Sequence, residues 1–188
     1  MPTILLPPII SVLGYKDSGK TTVITNIINH LSHQKKRILS AKHVGEPAFT
    51  LDSPGTDSYR HIESGALATV LHSETTTTLL LKNPPSTLQA LIHLGVSAVP
   101  VDVVVLEGFR FWTQKHPQIA KIICIRSQEE ITEFTNKTIA PIIGQCTLNP
   151  KLESMIQIPN EMNRLLKAID AWLLTAPTIT IGEKNDNG

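Results

Sequence analysis

Residues 14–22 read Gly-Tyr-Lys-Asp-Ser-Gly-Lys-Thr-Thr. They fit the spacing G-x-x-x-x-G-K-[ST] of a phosphate-binding (Walker A) loop, with Gly14, Gly19, Lys20 and Thr21 at the fixed places. Each residue type answers a need of a metal-bound phosphate chain. Glycines let the backbone curl until consecutive N–H groups point inward at the anion. Lys20 is placed to reach the β- and γ-phosphates, and the Thr21 hydroxyl to ligate Mg²⁺. A helix starting at the end of the loop adds the partial positive charge of its N-terminus.

Such a site needs a carboxylate to hold the metal through water, usually at the end of a neighbouring buried strand. Val103-Val104-Val105-Leu106-Glu107 supplies an apolar run closed by an acid. A structural reading stands beside it, with Glu107 as a cap or as the partner of Arg110. The third element is a long loop holding Asp52-Ser53-Pro54-Gly55, followed directly by Asp57-Ser58-Tyr59-Arg60. An Asp-x-x-Gly segment can bring an acid near Mg²⁺ and the Gly55 N–H near a γ-phosphate. Asp57 and Arg60 are three apart and share a helix face. One could order a water while the other neutralises phosphate charge, or the two could be a helix cap and a surface ion pair. His43 and His61 sit where a ligand could pass. His30 and His33 fall at the end of a helix, and no H-E-x-x-H motif or Cys/His cluster suggests zinc.

These residues need elements to hold them. Ile9-Ile10-Ser11-Val12-Leu13 is the β-branched run of a buried strand. Val23, Ile24, Ile27, Ile28 and Leu31 form one face of a helix running from about Gly19 to Gln34. Further strands are expected over 37–42, 68–71, 77–82, 101–106, 119–125 and 138–143. Further helices are expected over 57–63, from Ser86 to Gly95, from Ser127, and from an Asn160 cap. Strands alternating with helices predict an α/β fold, a mainly parallel sheet flanked by helices in three layers, with ligands at the carboxyl ends of the strands. A single nucleotide-binding domain over 1–181 and a polar, disordered tail over 182–188 are expected.

The 17 basic and 16 acidic residues leave a net charge of +1, which gives no bulk drive toward nucleic acid or a membrane surface. No apolar run is long enough to span a bilayer. The first residues lack a basic region and lead straight into the first strand, which argues against a signal peptide. The two cysteines, Cys124 and Cys146, lie in apolar runs with no C-x-x-C spacing. They read as core thiols in a reducing, cytoplasmic compartment.

The order of separated motifs resembles the MobB family: the loop at 14–22, Lys42-His43, the run from Asp52 to Arg60, then Gly65-Ala66, and Leu106-Glu-Gly-Phe-Arg110. These are the GTP-binding adaptors of molybdopterin-guanine dinucleotide biosynthesis. The resemblance implies a P-loop NTPase fold, GTP and Mg²⁺ as ligands, at most weak GTP hydrolysis, and a homodimer. It implies an adaptor role beside the molybdopterin guanylyltransferase and other molybdenum-cofactor maturation proteins. By position, Gly14, Lys16, Asp17, Ser18, Gly19, Lys20, Thr21 and Thr22 would hold phosphates, and Thr21 and Glu107 the metal. Asp52 and Gly55 would meet the nucleotide, and Asp57, Arg60 and Glu107 would serve hydrolysis. Three departures stand out. Asn136-Lys137-Thr138-Ile139 lacks the acid of a guanine-reading Asn-Lys-x-Asp. Tyr15 occupies the place of the extra lysine in related dimeric ATPases. Arg110 closes the Glu-Gly-Phe motif as a guanidinium rather than an amine.

Two other function classes bear weighing. A small-molecule kinase would use the same loop but needs an acceptor base and a basic lid. A GTP-driven metallocentre chaperone would need a His- or Cys-rich delivery segment, and none is present.

Overall fold

The computed structural model describes residues 4–46, 49–50 and 52–181; the tail expected to be disordered lies outside them. In chain order they form β1 (Ile4–Leu6), β2 (Ile9–Gly14), α1 (Lys20–His33), β3 (Ile38–Lys42), α2 (Asp57–Glu63), β4 (Ala68–His72), β5 (Thr77–Leu81), α3 (Leu88–Ala98), β6 (Val103–Glu107), α4 (Arg110–Thr113), β7 (Ala120–Ile125), α5 (Gln128–Lys137), β8 (Ile142–Thr147), β9 (Ile156–Gln157), α6 (Met162–Leu173) and β10 (Ile179–Ile181). They build two compact units, Met1–His43 with Leu88–Gly188, and Val44–Thr87.

The first unit is organised by one six-stranded sheet in the order β3-β6-β2-β7-β8-β9. Every pairing in it is parallel. Its central strands β6, β2 and β7 are buried on both faces, as a sheet covered on both sides requires. Ile10, Val12, Val103, Val105, Ile122 and Cys124 pack with Val23, Ile27 and Leu31 of α1 and with Leu165 and Ile169 of α6. The alternating positions Ile9, Val104 and Leu106 pack with Leu88 and Ile92 of α3. Leu13, Ile123 and Ile125 pack with Phe134 of α5. The expected three-layer architecture is therefore present. β1 and β10 add a separate antiparallel pair.

Three boundaries differ from expectation. The strand expected over 138–143 lies at Ile142–Thr147. Pro141 has no N–H for a ladder, while Thr138 is the C-cap of α5. Helix α3 continues through Gly95 to Ala98. That glycine marks a close approach, since a Cβ there would lie 2.6 Å from the Leu39 side chain of β3. Helix α6 is capped by Glu161 rather than Asn160, because the Glu161 carboxylate accepts the Gln157 N–H at 2.8 Å and closes the turn from β9.

The second unit consists of α2 and an antiparallel β4–β5 hairpin, in register from Ala68↔Leu81 to His72↔Thr77. Thr56 caps α2, its hydroxyl accepting the Tyr59 N–H.

One buried charge stands out in β7. Lys121 is fully buried, and its amine donates to the carbonyls of His116 and Ala140. Burial pulls its pKa down to about 8. A folded-state value below the unfolded one of about 10.4 means the unfolded chain binds more protons between those pH values. Stability carried by this group therefore rises with pH through that window. Melting temperature measured from about pH 8 to 10 should climb in the parent relative to Lys121→Met; parallel curves would contradict the assignment.

Candidate functional site

The Gly14–Thr22 segment joins the carboxyl end of β2 to the first turn of α1, so the central strand of the sheet delivers the loop. Gly14 has φ +150, and a Cβ there would lie 2.6 Å from the Cys124 carbonyl of the neighbouring strand. Only glycine fits that approach. The same Cβ would lie 2.5 Å from Ser18 Oγ, so the Ser18 hydroxyl occupies the space beside Gly14. Ser18 is buried, and its Oγ has no hydrogen-bond partner among the described residues. A buried hydroxyl without a partner is costly unless a ligand satisfies it. Asp17, at φ +61, completes the curl. Helix α1 has no side-chain cap and no acid in its first turn, which leaves its N-terminal N–H groups and dipole for an anion.

Around the loop stand the cation, hydroxyl and carboxylate that the sequence pointed to. Lys20 Nζ donates to the Tyr15 carbonyl at 2.6 Å, folding the lysine back over its own loop. Thr21 Oγ1 donates to Glu107 Oε1 at 3.2 Å. Two residues eighty-odd positions apart are thus brought together by the parallel pairing of β2 with β6. Glu107 is 12% exposed and has a second neighbour, Lys42 Nζ, at 3.2 Å. Lys42 lies opposite Glu107 in the β3–β6 register. The expected alternative of a Glu107–Arg110 pair gives way to this one, because Arg110 turns to Glu133 at 2.8 Å. The residues present fit Mg²⁺ and a phosphate chain: a free inward hydroxyl, a loop lysine, and a threonine facing a carboxylate.

The other expected residues have local tasks as well. The side chains of Lys16 and Thr22 are exposed; the Lys16 carbonyl accepts from Arg126 at 3.0 Å, and that of Thr22 from Asn26 at 2.9 Å. His43 packs edge-on against Phe109, 5.6 Å between centroids. His30 pairs with Asp170 at 2.9 Å and joins α1 to α6. Within the 44–87 unit, Asp52 Oδ1 accepts from the Thr56 hydroxyl at 2.6 Å and from the Ser53 N–H at 2.9 Å. The Thr56 bond, foremost, holds the Asp52 carboxyl below its usual range. Gly55 turns the chain at φ +98. Asp57 and Arg60 face each other at 3.7 Å with both side chains largely exposed. The two thiols are buried and unpaired; burial pushes Cys146 up to about 12 and Cys124 higher still.

Sequence reading missed Lys42 as the partner of Glu107, and missed the group Tyr15, Arg110, Arg126 and Glu133 beside the loop. Lys42 closes an expected strand, as Glu107 does, but which strands are neighbours is not written in either segment.

A parallel sheet whose central strand turns through a glycine loop into a helix, with threonine and acid facing each other at its mouth, is the fold of a P-loop NTPase. The chain belongs to the MobB family: residues 9–145 match the family model for molybdopterin guanine dinucleotide synthesis protein B. A relative in Methanocaldococcus jannaschii is 36% identical over 121 residues, covering 64% of this chain and 48% of that protein. This chain's match thus spans about half of that relative. The molybdopterin-guanine dinucleotide biosynthesis adapter protein of Haemophilus influenzae is 24% identical over 167 residues, 88% of this chain and 89% of that one. Among solved structures, a MobB homologue from Bacillus stearothermophilus superposes with a TM-score of 0.63 at 21% identity, covering 89% and 98% of the two chains. Bacillus subtilis MobB gives 0.61 at 25% identity, over 81% and 86%.

Proposed function

We propose that this chain is a cytoplasmic, GTP-binding adapter of molybdopterin-guanine dinucleotide biosynthesis, working beside the guanylyltransferase that joins GMP to molybdopterin. The observation that carries the nucleotide part is the Thr21–Glu107 contact at the mouth of the Gly14–Thr22 loop. Family membership and the adapter role of its relatives support the adapter part. In this reading Lys20 leaves the Tyr15 carbonyl for the phosphates, and Thr21 and Glu107 hold Mg²⁺. Bound Mg²⁺ neutralises charge on the β- and γ-phosphates. Asp57 and Arg60, exposed and paired with each other among the described residues, are the residues that would serve a slow hydrolysis. The chain works as a homodimer, a reading supported by the exposed Leu67, Val70 and Leu79 of the 44–87 unit.

Displacement of a fluorescent GTP analogue in the presence of Mg²⁺ tests this. GTP should compete at least about tenfold better than ATP, a difference of roughly 1.4 kcal/mol. Purified guanylyltransferase should bind the GTP-loaded chain. Equal competition by ATP would remove guanine preference. Rapid phosphorylation of an added small alcohol would favour the kinase reading instead.

A further inference from the structure

The phosphate loop is tied to its surroundings by more than its backbone. The Tyr15 hydroxyl donates to Glu133 Oε2 at 2.6 Å. Arg110 donates to Tyr15 Oη at 3.2 Å and to Glu133 Oε1 at 2.8 Å. Two guanidiniums lie over the Tyr15 ring, Arg110 at 5.5 Å and Arg126 at 5.4 Å. Phe134 meets the ring edge-on at 5.8 Å. Arg126 also donates to the Lys16 carbonyl and is itself held by Glu130. Glu130 and Glu133 are three apart on α5 and share a face. Arg110, first, and the Tyr15 hydroxyl hold the Glu133 carboxyl down at about 2, so it stays an ionised acceptor at neutral pH.

Tyr15 is also the residue whose carbonyl receives Lys20. Its backbone therefore loses a donor whenever Lys20 turns to a phosphate, while its side chain remains fixed to α5. Asp17 at φ +61 and a buried Ser18 hydroxyl with no partner among the described residues each carry a local cost that contacts holding the loop can offset. We infer that Glu133 is a positioning residue for the phosphate loop: through Tyr15 and Arg110 it holds the Tyr15–Lys16 limb in the shape that receives a phosphate chain. This rests on the nucleotide-binding reading above.

The test compares the parent chain with Tyr15→Phe, Glu133→Ala, which leaves no acceptor for the Tyr15 hydroxyl, and the double variant, using a fluorescent GTP analogue with Mg²⁺. Tyr15→Phe keeps the ring among the guanidiniums and removes only the hydroxyl. Each single variant should bind about tenfold more weakly, the scale of one charge-assisted hydrogen bond. The double variant should match the weaker single one within about twofold, because both changes break one link. Melting temperatures of the ligand-free variants should stay close to the parent. In steady-state GTP hydrolysis KM should rise with kcat unchanged, whereas loss of folded protein would lower kcat. Affinities like the parent's, losses that multiply in the double variant, or losses that track melting temperature would each overturn the inference and leave the nucleotide reading intact. A parent that binds no nucleotide would overturn both.

Discussion

Replacing Lys20 with alanine should leave the chain folded and abolish most of the proposed nucleotide binding. The only described hydrogen bond of its amine is to the Tyr15 carbonyl on the same loop, so little of the fold depends on it. The core beneath, Val23, Ile27 and Leu31 against Ile10 and Val12, is untouched. A bound triphosphate loses a cation making charge-assisted hydrogen bonds to two phosphates. At about 1.5–3 kcal/mol each, the expected loss is about a hundredfold or more in Kd. Isothermal titration with GTP and Mg²⁺, alongside a thermal melt, measures both quantities. Binding as tight as the parent's would move the phosphate site away from this loop.

The second large effect concerns Glu107. Glutamine in its place keeps the volume and still offers an acceptor to Thr21 Oγ1, but removes the charge. Glu107 is nearly enclosed, and its neighbours are a hydroxyl and the Lys42 amine. Without a metal, Lys42 is the cation that balances this carboxylate. Glu107→Gln should raise the Mg²⁺ concentration for half-maximal GTP binding by about tenfold or more, with melting temperature little changed. Lys42→Met should move the same midpoint the opposite way, since it removes the competing cation. An unchanged Mg²⁺ titration in the Glu107 variant would shift the metal-holding role to Asp52 or Asp57.

The parts of this site legible in the sequence were those fixed by local chemistry. The glycine spacing, the β-branched run of β2 and the helical stripe Val23, Ile27, Leu31 each announce themselves within about ten residues. Glu107 was legible because a phosphate loop calls for an acid at the end of a buried strand, and the run Val103 to Leu106 ends in one. The contacts that depend on strand order were not. Lys42 meets Glu107 only because β3 and β6 are neighbours with those two residues in register, and nothing near Lys42 encodes that adjacency. The Tyr15–Glu133 link likewise depends on α5 packing over β7 and β2.

The boundary errors share a physical origin too. Gly95 reads as a helix stop by propensity, yet tertiary packing against Leu39 outweighs that preference. The strand at 142–147 was displaced because Thr138 to Ile143 contains β-branched residues but also Pro141, which can accept from Lys121 but has no N–H to donate to a ladder. Asp52 also has a local task that its charge does not announce: its Oδ1 accepts from the Thr56 hydroxyl at the start of α2.

The sheet order also bears on how this protein is made. β2 is the first strand of the sheet to be synthesised, but it pairs on both sides with late strands, Ile9 with Val104 and Ile10 with Ala120. Its partners leave the ribosome roughly a hundred residues after it, and such distant pairing is closed late in folding. A nascent chain can therefore carry the whole Gly14–Thr22 motif while having no walls to shape it. Glu133, which anchors Tyr15, is made later still. Nucleotide capture would then be a property of a chain synthesised at least through Glu133, and GTP a ligand that stabilises only molecules whose sheet has closed.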